Sequence, residues 1–189
     1  MSAACSGGGS AKATLPHATI ATAPETTTTT NAYAVPTVID AAYINRILAG
    51  IDATFGDLIR TALAQHAVTA EAIDRMKALF SGPVLTTQLN LLTEEEAGGF
   101  RDLKPNPGNR STKVVTIVTA LADCVYAHVS RDYSAVAVAP SAALTDQYVG
   151  LNRASPGQDP NHYNPTGWTV VYDGFLQDHS QPPDPCSAA

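Results

Sequence analysis

Three cysteines carry the most definite chemistry in this 189-residue chain: Cys5, Cys124 and Cys186. A thiol can be acylated, oxidised to a disulfide or used as a nucleophile, and an odd count leaves one to be explained apart from the others. Cys124 falls in a run of strand-forming residues, whereas Cys186 follows Gln181-Pro182-Pro183-Asp184-Pro185. A proline-rich tail has no reason to be ordered unless something pins it, so Cys124 and Cys186 are expected to form a disulfide. Two free buried thiols are the alternative, but Cys186 lies too near the C-terminus for lasting burial. Closing a loop of about 60 residues stabilises a fold by roughly 4 kcal/mol on the chain-entropy estimate. The bond also implies an oxidising compartment.

Other reactive side chains are less organised. The five histidines, His17, His66, His128, His162 and His179, show no metal-ligand spacing. Asp178-His179 with Asp173 is the nearest approach to a ligand set, and a solvated turn is the preferred reading; no metal and no cofactor are expected. Thr93-Glu94-Glu95-Glu96 has the form of a capping box, so its acidic run reads as the first turn of a short helix. On a regular strand Cys124, Tyr126 and His128 share one face, joined by Asp132 if the strand continues. Serine-nucleophile, phosphate-loop and catalytic-cysteine signatures are absent, and Gly7-Gly8-Gly9 reads as linker. The long connection 154–167 carries His162 and Tyr163 among turn residues, which makes them the candidate partner-binding pair. A solvent-exposed connection tightened by prolines is the plainer alternative.

Cys5 follows Ser2-Ala3-Ala4 and precedes Ser6-Gly7-Gly8-Gly9-Ser10. Small residues before a cysteine and a Gly/Ser run after it resemble the lipobox of bacterial lipoproteins. That resemblance implies cleavage before Cys5, a diacylglyceryl group on its thiol and attachment to a membrane. Ser2 stands where the family usually has Leu, and no charged or hydrophobic signal region precedes it, as expected of a chain trimmed to the end of its signal peptide. Residues 1–36 are predicted to be a tether, Gly/Ser-rich and then Ala/Thr/Pro-rich with five consecutive threonines from Thr26 to Thr30. With few large apolar groups the tether cannot offset its ordering entropy and is expected to stay disordered, holding the domain roughly 30 Å from the anchor. Its Thr and Pro content is also the composition of O-glycosylated segments, and an unmodified linker fits equally.

Charge narrows the partners. The net charge of −6 and scattered Lys and Arg offer no basic stripe, so nucleic acid is not expected. No apolar run approaches the ~20 residues that span a bilayer. Residues 37–189 suit one domain, about 150 residues with its own core.

The elements follow from periodicity. Thr37 can cap a helix starting near Val38, with Ile44, Ile47, Leu48, Ile51, Phe55, Leu58 and Ile59 on its apolar face, ending at about His66. Thr69 caps a second helix, stopped by Gly82-Pro83, and a short connection makes the two a hairpin. Leu85, Leu89, Leu91 and Leu92 form a third apolar patch of undefined type. After a loop at 98–110 the period shortens: 112–131 reads as two strands or one bent at Asp123, 144–153 as another, and 167–176 as the last. Trp168, Val170 and Tyr172 are expected on one face of it. The sum is an α+β fold: a helical hairpin and a short third helix against a curved antiparallel sheet of three to five strands, closed by the disulfide.

Asp123-Cys124-Val125, Tyr148-Val149-Gly150-Leu151, Asn164-Pro165-Thr166-Gly167-Trp168 and the terminal Pro185-Cys186 resemble exported lipoproteins of actinobacteria, over residues 37–186. The resemblance implies a cone-like fold similar to nuclear transport factor two. Some enzymes with that fold, the SnoaL-like and ketosteroid-isomerase-like ones, use Asp or His as a general base in a pocket between helices and sheet. Carried over, His128 or Asp132 would be the base, and Tyr126 and Tyr172 the donors to a developing oxyanion. Their placement at a solvated strand end, with Asp132 starting a turn, is the preferred reading. The chain is therefore expected to be a non-enzymatic envelope protein, tethered through Cys5, that binds a protein partner or an apolar small molecule. A small isomerase or dehydratase, or a structural surface module, are the alternatives.

Overall fold

Asp40, not Thr37, opens the first helix. In the computed structural model, which describes residues 31–140, 145–175 and 182–187, α1 spans Ala41–Gln65. The Asp40 carboxylate accepts from the Tyr43 backbone N–H at 2.8 Å. Asp caps as well as Thr does, and Asp40 is nearer the first buried side chain, Tyr43, so the start moves three residues beyond the expected one. Residues 31–36, assigned by composition to the tether, lie against this helix. Tyr43 donates its hydroxyl to the Tyr33 carbonyl (3.1 Å) and Arg46 Nε donates to that of Ala32 (3.0 Å). Residues from Asn31 onward form one unit, and only that unit is described.

His66 ends α1 in the left-handed region, φ 50°, turning its N–H back to Leu63. α2 covers Ala70–Leu79, capped by Thr69 as expected. The third patch is a full helix, α3, over Gly82–Ala97, longer than the short one anticipated. Pro83 starts it instead of merely stopping α2, because proline's missing N–H costs nothing in a first turn. Thr93 is not a cap: it sits inside α3 and donates its hydroxyl to Leu89 (2.9 Å). Glu96, which a capping box would turn back onto Thr93, accepts from the Val68 N–H at 2.9 Å instead.

Among the described residues four antiparallel strands follow in the order β1 (Ser111–Ala120), β2 (Cys124–Asp132), β3 (Asp146–Arg153) and β4 (Trp168–Phe175), each paired with the next. The fold is α+β, with the helices N-terminal. Alternation sends Val125, Ala127 and Val129 of β2 and Val149 and Leu151 of β3 to one face, where they meet Ile44, Ile47, Leu48, Ile51 and Leu58 of α1. Trp168 is completely buried there, its indole N–H donating to the Tyr43 hydroxyl at 2.9 Å. Phe80 and Ser81, between α2 and α3, dock on β4 through Val170, with Ser81 N–H to Val170 O at 3.1 Å.

One strand departs from the expected pattern. Trp168 and Val170 face the core, but Tyr172 does not. The register passes from Leu151↔Val170 to Gly150↔Tyr172, leaving Val171 as an extra residue. A β-bulge of this kind turns every following side chain over. Tyr172 is thereby delivered to the outer face of the sheet, and Asp173 to the inner one.

Candidate functional site

The outer face is built from the alternate residues of three strands. Tyr126 of β2, Gly150 of β3 and Tyr172 of β4 lie in one row across the sheet, and His128 and Tyr148 pair in the row beside it. Tyr126 lies 5.4 Å from Tyr148 and 5.9 Å from Tyr172 between ring centroids, and His128 stacks on Tyr148 at 5.0 Å. Residues 182–187 run over this surface as a strap. Cys186 is bonded to Cys124, with Cα atoms 5.7 Å apart, as the sequence led us to expect. Tyr126 donates its hydroxyl to the Pro182 carbonyl at 3.0 Å, and Thr119 of β1 donates to the Asp184 carboxylate. The other oxygen of Asp184 accepts the Cys186 N–H at 2.8 Å, which holds the last turn of the strap in shape.

Gly150 makes the close approach possible. A Cβ there would stand 2.7 Å from Pro185 Cγ and 2.9 Å from Tyr172 Cβ, so a glycine in mid-strand marks a passing backbone. Gly150→Ala is expected to destabilise the domain by about 1–3 kcal/mol and to loosen the strap. Chemical denaturation with hydrogen exchange at the Cys186 N–H checks both effects.

These groups suit binding better than proton transfer. Burial, then Tyr172, Tyr148 and Asp184, push the Tyr126 hydroxyl far above the ordinary range, and burial followed by Asp173 raises Tyr172. Both stay protonated as donors. His128 Nε2 meets the Asp146 carboxylate at the margin of the face. Asp132 ends β2 in solvent, starting the turn by accepting the Ser134 N–H at 2.7 Å. The Ser134 side chain and then its backbone N–H, both bonding the carboxylate, hold Asp132 below the usual range and make it a poorer base. The space between helices and sheet is occupied by side chains, and the surface grooves around Arg60, His66 and Pro107 and around Glu95 and Arg101 include none of these four residues. The structure thus brings Tyr126, Tyr172 and His128 onto one face and leaves Asp132 apart in a turn.

The loop pair divides likewise. His162 is exposed at φ 55°, while Tyr163 is half-buried beneath the Arg75 guanidinium, 4.9 Å from its ring centroid. Asp159 accepts the backbone N–H groups of Tyr163 (2.9 Å) and Asn164 (2.6 Å). Asn164 in turn donates to the carbonyls of Ala78 and Trp168, so the connection is pinned to α2 and β4. Cys5, Asp178 and His179 lie outside the described residues.

Sequence reasoning missed a buried charge cluster on the inner face. Arg131, 2% exposed, directs Nη1 to both Asp173 oxygens at 2.7 Å and to Gln147, and Nε to Thr112 at 3.2 Å. Asp52 of α1 pairs with Arg110 at 2.5 Å, and the Arg110 guanidinium lies over Phe55, 4.5 Å from its ring centroid. Burial opposes the charge on Arg131, but Asp173, then Tyr133 and Asp52, outweigh it and keep the guanidinium charged. Two signals were legible. Asp52 interrupts the apolar face between Leu48 and Phe55, and Arg131 continues the inward phase of Val125, Ala127 and Val129. Asp173 was hidden by the bulge. The chain matches no known protein family, no curated protein and no solved structure.

Proposed function

We propose that this chain is an exported bacterial envelope protein, tethered to a membrane through Cys5, whose globular unit binds a partner on its surface. The observation that carries the reading is the Cys124–Cys186 disulfide, which fastens a C-terminal strap to the outer face of the sheet. A bond of this kind persists where thiols are kept oxidised, outside the cytosol. The lipobox-like Ser2-Ala3-Ala4-Cys5 and the Gly/Ser and Thr-rich residues after it supply an anchor and a spacer. The likeness to actinobacterial exported lipoproteins belongs to the same proposal.

Surface binding is favoured over catalysis by the placement of the candidate bases. Proton abstraction needs a base facing a substrate in a water-poor cavity. His128 and Asp132 lie on the outer face and at its end, away from the apolar interior. The outer face instead carries tyrosine rings, the groups that dominate recognition surfaces, with Tyr148 and Tyr172 partly exposed and Tyr126 covered by the strap. Cys5→Ala, expressed in the native host with its signal peptide restored, is expected to release the protein from the membrane fraction into the medium. Retention in the membrane would overturn the anchor.

A further inference from the structure

Residues 182–187 lie on the sheet with Pro182 and Pro183 leading into a turn at 184–187, closed by the Ser187 N–H on the Asp184 carbonyl at 3.2 Å. The Tyr126 hydroxyl donates to the Pro182 carbonyl at 3.0 Å. Pro185 occupies the slot that Gly150 leaves between Tyr126 and Tyr172. The Thr119 hydroxyl takes the Asp184 carboxylate. Asp followed by Pro favours such a turn before docking, so the segment loses little entropy when it meets the aromatic face. None of these contacts requires Pro182 and Pro185 to belong to the same chain as Tyr126. The bond that makes them do so is Cys124–Cys186.

We propose that this face is a recognition site for turn-forming, proline-containing peptides bearing a carboxylate, filled in cis by residues 182–187 and latched by the disulfide. The proposal rests on the binding-module reading and names its partner chemistry. While the latch is oxidised, the strap keeps the site occupied. A dithiol reductant opens it: two electrons and two protons convert the Cys124–Cys186 bond to two thiols, and the dithiol becomes its own disulfide. Cys124 and Cys186 are each 4% exposed, so exchange waits for the strap to lift and is slow. After reduction the strap remains on the chain and competes at an effective concentration of about millimolar.

The test titrates the full chain, oxidised and reduced, with the synthetic peptide acetyl-Gln-Pro-Pro-Asp-Pro-Ser-amide into the millimolar range, following the backbone amide signals of Thr119, Tyr126 and Gly150. Saturable shifts are expected in the reduced protein and not in the oxidised one. Replacing the last proline of the peptide by alanine should weaken binding about tenfold, the loss of one packing contact. No saturable shift in reduced protein that keeps its Trp168 emission, or equal binding by both forms, would overturn the proposal. Unfolding of the chain on reduction would overturn it as well, because a latch must open while the sheet that carries Tyr126, Gly150 and Thr119 keeps its fold. Binding is read on purified protein, so this failure leaves the export reading to the Cys5→Ala experiment, and the reverse.

Discussion

Asp173→Ala is expected to cost about 3–5 kcal/mol of stability, the usual consequence of leaving a buried charge without its partner. Arg131 is buried and gives Nη1 to both Asp173 oxygens at 2.7 Å, so the variant strands a guanidinium inside the fold. Gln147 and Thr112 still accept from it, but neither carries charge. The effect belongs to the missing partner and not to the net worth of the pair. The double variant Arg131→Met/Asp173→Leu removes both charges, and similar replacements elsewhere have been neutral or stabilising by about 1–4 kcal/mol. The double variant is therefore expected to recover most of what the single one loses. Urea unfolding of the three proteins measures it, and equal losses in single and double variants would show that Arg131 and Asp173 are not coupled.

Cys186→Ser is expected to have the next largest effect. The disulfide closes a sequence separation of 62 residues, for which the chain-entropy estimate is about 4 kcal/mol. For a domain of this size that corresponds to a fall in Tm of roughly 8–16 °C. The strap's own bonds, Tyr126 to Pro182 and Thr119 to Asp184, are few, and without the covalent tie they must hold six residues against their entropy. The variant should lose protection at the backbone N–H groups of position 186 and Ser187 while Trp168 stays buried under α1. Calorimetry and hydrogen exchange separate the two effects. An unchanged melting curve in the variant or under reductant would refute the stabilising role of the bond.

Much of this architecture was legible in the chain. The apolar face of α1, the Thr69 cap, the break at Asp123 and the pairing of Cys124 with Cys186 follow from periodicity, capping chemistry and the need to pin a proline-rich tail. What escaped was set by contacts far apart in sequence. Leu85, Leu89, Leu91 and Leu92 belong to a helix whose apolar face is weakly organised, so its period did not declare itself, and the Thr93 motif suggested a start where the helix was already running. Val171 is the clearest case. A bulge depends on how β4 meets β3, and no local pattern marks it, yet it decides that Tyr172 joins Tyr126 outside and Asp173 meets Arg131 inside. The outer aromatic row was half visible, because Tyr126 and His128 share a strand face whatever the fold. Its lid was not: that Pro185 seats over Gly150 follows from the path of the strap, which sequence spacing does not show.

The most direct measurement is the intact mass of the protein purified from its native host's membranes after thiol alkylation without a reductant. Export and tethering predict a diacylglyceryl mass on Cys5 and no alkylation of Cys124 or Cys186, which become alkylated only after reduction. Alkylation of all three cysteines before reduction, with no acyl mass, would contradict the account.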